Sequence, residues 1–322
     1  ETLCEAKLCD ELGMDMVWLA EHHFDGICAY VDPVSFAAAL ATATQQIGIG
    51  FAVAQMSLHH PVRMAEQMAL IDNLSHGRLV VGLGRGTAYN IYDYQGYGID
   101  PDEAFERLLE SEEIMMKAWT TKNLVHQGKY WQIQMTQLRP QPYTQPHPFV
   151  IRACSGEESM LGQAREGRPF LMNVQTNETT RARMDKYRAT LAEHGYDGAH
   201  TRECVDKTWV WRNIFVADTD AKARELAIPA FDEMIKFRHA MRERIYREQG
   251  VRMNEEAKIP ARAQADHAVI CGTPDTVAKA IAEIDDIGVG GLLLQFRLGA
   301  MDYTHTARSI ELFMREVAPR FH

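Results

Sequence analysis

Along the chain, short apolar runs alternate with apolar stripes of helical spacing. Leu3, Ala6, Leu8 and Leu12 give a rough helical face over residues 3–12, and Gly13 is a fitting stop. Val17-Trp18-Leu19-Ala20 follows as a short apolar run between polar residues, which reads as a strand over 16–20 buried on both faces. Asp32-Pro33 opens a helix to about Thr44. Ile47–Ala54 is a second strand, residues 61–76 form a helix with Pro61 at its first position, and Leu79–Gly84 is a third strand. This alternation means parallel strands joined by crossover helices.

The pattern continues with a long amphipathic helix from Pro101 to Trp119. Residues 123–148 break the rhythm with Gly128 and four prolines, and predict an excursion holding one hairpin. Strands resume at Phe149–Arg152 and Phe170–Met172 with a short helix between them. Helix 178–194, strand Thr208–Ala217 and a long charged helix over about 220–247 follow. Residues 248–268 are polar and irregular, a pattern expected of a mobile lid. Pro274 opens a helix, Leu292–Phe296 is a strand and 304–317 is the last helix.

Seven strands result, and an eight-stranded (β/α) barrel of TIM type needs one more. The chain opens on a helix, so that strand would precede residue 1. The competitor is a doubly wound open sheet with a Gly-rich phosphate turn after its first strand. Gly82-Leu83-Gly84-Arg85-Gly86 is the one candidate for that turn. Its third glycine comes a residue early, and an aromatic polar loop follows it instead of an amphipathic helix. The expected fold is therefore a single α/β barrel domain over 1–322 with insertions.

Composition changes this picture little. The chain has 322 residues, 46% hydrophobic and 24% charged, as one barrel requires. A net charge of −10 argues against nucleic-acid binding. No apolar run is long enough to span a membrane. Six scattered cysteines without a CxxC pair suit a reducing cytoplasm.

Chemistry concentrates at Glu21-His22-His23, directly after the first strand, which is the reactive end in a parallel barrel. Histidine titrates near neutral pH and both gives and takes protons. Neighbouring residues of an extended chain point opposite ways, so one of His22 and His23 faces a given ligand. The same alternation, and the lack of HExxH, argue against a metal site at His22-His23 or His59-His60. Arg85, just past a strand end, offers a bidentate grip for an anion. Ser155-Gly156-Glu157-Glu158-Ser159 should open a helix, where free N–H groups and hydroxyls suit a phosphate; the alternative is a capping box of Ser155 with Glu158.

These segments together resemble the bacterial luciferase-like, flavin-dependent monooxygenase family. The matching stretches are Trp18–Phe24, Pro61–Gln67 through Asp72–Arg78, Gly82–Gly86, Gly98-Ile99-Asp100-Pro101, Gly272-Thr273-Pro274 and Val317-Ala318-Pro319. The resemblance implies a TIM-type barrel that binds reduced FMN or, in one branch, a deazaflavin coenzyme. The family barrel begins with a strand lacking here, so either the given chain is truncated or the barrel is open on that side.

The resemblance selects His22 as the catalytic histidine with Glu21 beside it. It implies cofactor contacts from Ala52, Val53, Gly84, Arg85, Ala153, Ser155 and Ser159. Bacterial luciferase carries a reactive cysteine where Gly84 stands. It also has a second arginine near the position of Phe105, with Arg107 two residues on here. The implied reaction takes reduced FMN from a separate flavin reductase, since no nicotinamide motif appears. Dioxygen adds to form a flavin 4a-hydroperoxide, which oxygenates a small organic substrate. A deazaflavin-dependent dehydrogenase and a non-catalytic partner subunit are the alternatives. The alanine-rich helix 33–44, with helix 61–76, is the expected face of a homodimer.

Overall fold

The computed structural model describes residues 1–321 apart from 25, 27, 29, 87 and 251–263. They group into two compact units, Gly13–Ile151 and the combination of Glu1–Leu12 with Arg152–His322. Helix α1 (Thr2–Glu11) opens the chain and belongs to the second.

In the first unit, strand β1 (Met16–Leu19) leads to helix α2 (Pro33–Ala43). The Asp32 carboxylate starts that helix by accepting from the Val34 and Ser35 N–H groups. Strands β2 (Gly48–Phe51) and β3 (Ala54–Gln55) flank Ala52 and Val53. Helix α3 (Pro61–Leu74) and strand β4 (Leu79–Gly84) follow. β1 runs parallel to β2, and β2 and β3 run parallel to β4, with Met16 opposite Gly48, Ile49 opposite Leu79 and Ala54 opposite Leu83. Ile49, Phe51, Met64, Met68, Val81 and Leu83 are fully enclosed, as parallel strands covered by helices require.

Helices α4 (Ile91–Gly96) and α5 (Ala104–Thr120) precede the excursion. The expected hairpin is there, with β5 (Leu124–Gln127) antiparallel to β6 (Gln132–Met135). Glu110 of α5 pins its turn, accepting from the N–H of Tyr130 at 3.0 Å and of Trp131 at 2.9 Å. The proline-rich return is held by Asp72, which accepts from the Thr144 N–H at 2.7 Å. Asn73 Nδ2 donates to the Gln141 carbonyl at 2.7 Å.

The second unit holds β7 (Phe149–Cys154) from Arg152 onward, α6 (Glu157–Arg165), β8 (Phe170–Met172), α7 (Asn177–Glu193), α8 (Gly198–Asp206) and β9 (Trp209–Val216). Then come α9 (Asp220–Gln249), α10 (Ala265–Ala268), β10 (Val269–Gly272), α11 (Pro274–Asp285), β11 (Gly291–Gln295) and α12 (Tyr303–Leu312). β8 lies parallel between β7 and β9, and both β10 and β11 run parallel to β9. One core packs Met172, Met184, Tyr187 and Val210; another packs Phe215, Ala223, Phe231 and Leu298.

Three elements depart from the expectation. The aromatic stretch after Gly86, expected as a polar loop, includes the short helix α4, which buries Asp93 and Tyr94. β10 was hidden because Val-Ile-Cys-Gly is too short to show a period, and it pairs with the C-terminal half of β9. α8 buries Cys204 alone, so it has almost no apolar stripe; Asp197 starts it by accepting from the Ala199 and His200 N–H groups. Of the expected lid, 251–263 lie outside the described residues, while α9 reaches Gln249 and 265–268 form a helical turn.

Arg78 ties the first unit together. Its guanidinium donates to the carbonyls of Ile47 at 2.6 Å, Ala41 at 2.8 Å and Ser75 at 2.9 Å, and to Thr44 Oγ1 at 3.0 Å. Arg78→Ala should cost about 2–4 kcal/mol, because several carbonyls lose a charged donor together. Urea denaturation measures it, and a loss below about 0.5 kcal/mol would assign those bonds no weight.

Candidate active site

β1 delivers Glu21, His22 and His23 just past its C-terminal end. Glu21 is 3% exposed and its oxygens are satisfied by protein donors. Oε1 meets His23 Nε2 at 2.9 Å and His59 Nε2 at 2.7 Å, and Oε2 accepts from the Gln55 N–H at 2.6 Å. Burial alone would raise the carboxyl pKa. The hydrogen bonds from His23, His59 and Gln55 outweigh it and hold the group at about 2. The same contact raises His23 above its ordinary value, against the effect of burial. Glu21 and His23 thus share one side of the chain.

His22 turns elsewhere. Its Nδ1 lies 3.1 Å from Asn90 Nδ2, which also donates to Asp93 Oδ2 at 2.9 Å. Asp93, 1% exposed, accepts from Gln55 Nε2 at 2.8 Å and, through Oδ1, from the His23 N–H at 3.2 Å. Burial raises its pKa in spite of these donors. Gly86 makes room for this network. It has φ +69°, and a Cβ there would meet Gln55 Oε1 at 2.4 Å and Asn90 Oδ1 at 2.9 Å. The early third glycine of Gly82–Gly86 is therefore a packing requirement. Gln55, Asn90 and Asp93 carry no sequence signal of this role, and His59 stands out only as half of the His59-His60 pair; Gln55 and His59 lie between Trp18–Phe24 and Gly82–Gly86, and Asn90 and Asp93 follow soon after the second stretch.

The residues expected to hold a flavin divide between the units. In the first, Ala52 and Val53 are half-buried between β2 and β3. Gly84 is buried, and a Cβ there would meet Val53 Cγ2 at 2.5 Å, so its missing side chain seats Val53. Arg85 is exposed, with its guanidinium 6.0 Å from the centre of the Phe105 ring. Arg107 is engaged elsewhere, on Glu103 at 2.8 Å and over the Tyr130 ring at 4.4 Å.

In the second unit, Ala153, Ser155 and Ser159 are exposed at the start of α6. Gly156, not Ser155, is the N-cap, and no side chain caps the helix, so the capping box does not form. Ser159 Oγ donates to the Gly156 carbonyl at 2.8 Å. Glu157 is drawn to Lys186 and Glu158 to Arg165, each at 2.7 Å. With both acids so paired, the uncapped N–H groups form a donor set that fits a phosphate, with Ser155 beside them; the Ser159 hydroxyl joins it only by giving up its bond to Gly156. In the first unit, taken by itself, Arg85 is an exposed cation of the kind an anion accepts, and Ala52 and Val53 are half-buried apolar residues.

The aromatic residues from 89 to 131 split in function. Tyr94 and Trp119 are core, 2% exposed, and Trp119 Nε1 donates to the Ala65 carbonyl at 3.0 Å. Tyr97 instead lines a cavity of about 430 Å³ with His23, His59, Asp32, Arg63 and Gln67. Among the described residues no cluster of three or more His, Cys, Asp or Glu side chains is placed to hold a metal, and no helix is long and apolar enough to cross a membrane.

Parallel strands with intervening helices, and a histidine–carboxylate cluster just past the C-terminal end of β1, define the class, an α/β fold with titratable groups gathered at a strand end. The model of the luciferase-like monooxygenases matches residues 1–290, and the chain belongs to that family. It is 37% identical over 167 residues to an uncharacterized protein, y4wF, of Sinorhizobium fredii, covering 52% of this chain and 48% of that protein. Limonene 1,2-monooxygenase of Rhodococcus erythropolis is 25% identical over 97% of this chain and 79% of its own length. The oxygenase component of the flavin-dependent trigonelline monooxygenase of Acinetobacter baylyi is 32% identical, over 49% of this chain and 43% of its own.

Among solved structures, the monooxygenase RslO1 of Streptomyces bottropensis superposes with TM-score 0.82 and 25% identity, over 100% of this chain and 93% of that one. The oxygenating constituent of 3,6-diketocamphane monooxygenase from Pseudomonas putida, in complex with FMN, gives 0.80 at 22% identity over 99% and 93%. The coenzyme F420 dependent tetrahydromethanopterin reductase of Methanopyrus kandleri gives 0.71 at 18% over 99% and 95%. The fold is the TIM-type barrel class that the strand–helix alternation predicts.

The pH dependence of stability follows from Glu21 and His23. Glu21 is lowered in the folded protein, so its contribution is present above its ordinary 4.5 and is lost as pH falls toward about 2. His23 is raised, so its contribution is present below 6.5 and is lost as pH climbs through its folded value. The stability gap between wild type and Glu21→Gln should be widest between pH about 4.5 and 6.5. A gap that stays flat from pH 3 to 9 in denaturation experiments would refute the assignment.

Proposed function

We propose that this enzyme is a flavin-dependent monooxygenase that takes reduced FMN from a separate reductase and uses dioxygen to oxygenate a small organic substrate. The observation that carries the reading is Arg85, an exposed guanidinium with an aromatic face beneath it and no carboxylate in ion-pair range among the described residues. Such a group suits a ligand dianion. Bound reduced flavin would supply the electrons that activate dioxygen.

The chain's own residues have separable tasks. Arg85 is assigned to the flavin phosphate; the α6 N–H groups with Ser155 and Ser159, taken by themselves, are a donor set of the kind a phosphate accepts. Ala52 and Val53 offer an apolar bed for the ring, and Gly84 keeps Val53 in place. Ala153 lies beside the serine turn as a further contact. His22 moves the proton. Glu21, with both oxygens committed to His23, His59 and Gln55, stays ionised and positions this frame.

The reductase partner is supported by the name of the trigonelline relative, an oxygenase component. A homodimer is supported by α2 and α3. α2 exposes only small residues, Ser35, Ala39 and Thr42, while α3 exposes Leu70 and Leu74. A second copy of this face would cover both.

Four outcomes test these assignments. With photoreduced FMN and ¹⁸O₂, product from a panel of small organic substrates should carry one labelled oxygen; anaerobic turnover with a deazaflavin instead would favour the dehydrogenase chemistry. Arg85→Ala should weaken reduced-FMN binding by about 1.5–3 kcal/mol and leave riboflavin binding nearly unchanged; equal losses would remove Arg85 from the phosphate. His22→Ala should bind reduced FMN normally and lose about a hundredfold or more in turnover, while His23→Ala acts through stability. The reverse result would exchange the two histidines. Light scattering should give twice the 36.5 kDa chain mass, and Leu70→Asp should halve it.

A further inference from the structure

We propose that Asn90 is a positioning residue that fixes the tautomer of His22, keeping Nδ1 as the acceptor and the ring proton on Nε2. The inference rests on the reading of His22 as the proton-transfer group. An amide nitrogen only donates and a carboxylate oxygen only accepts. Asn90 Nδ2 faces Asp93 Oδ2 at 2.9 Å, so the amide cannot be turned round without setting its oxygen against a buried carboxylate. Asp93 is itself held by Gln55 Nε2 at 2.8 Å and the His23 N–H at 3.2 Å.

Gly86 closes the space behind the amide, since any Cβ there would strike Asn90 Oδ1. With the amide held this way, its second N–H points to His22 Nδ1 at 3.1 Å. A ring nitrogen that accepts cannot carry the proton, and the neutral ring must hold it on the other nitrogen. The chain from Glu21 through Gln55 and Asp93 to Asn90 thus sets which atom of His22 gives or takes the proton. Asn90 is 4% exposed and acts, on this reading, through the His22 ring.

The test is ¹⁵N–¹H correlation of the histidine rings in the flavin-free protein, with His22 assigned by the peaks lost in His22→Gln. In wild type above its titration, Nε2 should show the protonated pattern and Nδ1 the unprotonated one. Asn90→Asp replaces the donor by an acceptor and should invert the pattern. Asn90→Leu, close in volume, should give a mixture of both forms. Turnover of Asn90→Asp should fall about a hundredfold or more, on the scale of wrong-tautomer variants in other histidine enzymes, with FMN affinity changed less than about threefold.

A wild-type ring protonated on Nδ1, or a pattern unmoved in Asn90→Asp, overturns the inference even where His22→Ala is inactive. If the pattern inverts while both variants turn over like wild type, the tautomer assignment stands and the proton-transfer reading of His22 falls. The wild-type measurement needs no variant, so misfolding of Asn90→Asp cannot shelter the idea.

Discussion

A single buried carboxylate, Glu21, sets the terms for everything at this end of the first unit. Taking an ionised carboxylate out of water costs several kcal/mol unless its lone pairs are met. Here they are met by two imidazoles and a backbone N–H, drawn from β1's exit, from Gln55 of β3, and from His59 just ahead of α3. Each donor is committed by that debt of solvation, so three separate stretches are locked in register. The Gln55 side chain then reaches on to the Glu21 carbonyl at 2.9 Å and to Asp93, which extends the lock to the loop after β4. Removing the charge would leave two histidines and an amide without a reason to converge.

The sequence motifs divide by what they hold. Asp72-Asn73 and Arg78, part of one matching stretch, bond to the excursion and to the end of α2. Asn73 and Arg78 donate to backbone carbonyls and Asp72 accepts from a backbone N–H, so their task is to hold segments together, which says nothing of catalysis. Trp18–Phe24 is different in kind. Its polar members are enclosed with their partners drawn from distant positions, and burying so many titratable groups is hard to justify by packing alone.

The alternation of strands and helices was plain in the sequence because hydrophobic period survives any change of partner. β10 and α8 were not, since four residues show no period and a helix burying only Cys204 has no stripe. Glu21, His22 and Arg85 stood out as unusual residues at strand ends. Gln55, Asn90 and Asp93 did not, because an amide or acid in a loop looks like solvated surface until its partners are seen. The same blindness affected Arg107. It stands two residues past the position of bacterial luciferase's second arginine, and Glu103 one helical turn back and the Tyr130 ring from the hairpin absorb its charge.

Phe105 completes that argument. Near the position where bacterial luciferase adds a second cation, this chain sets an aromatic face beneath the first. The two solutions differ electrostatically. A second cation adds attraction for a dianion but repels its neighbour when the site is empty. An aromatic ring gives the lone guanidinium a weak negative face, of order 0.5–1 kcal/mol at an exposed site, and restrains where it points. Part of the ordering cost of a flexible arginine is then met before any anion arrives.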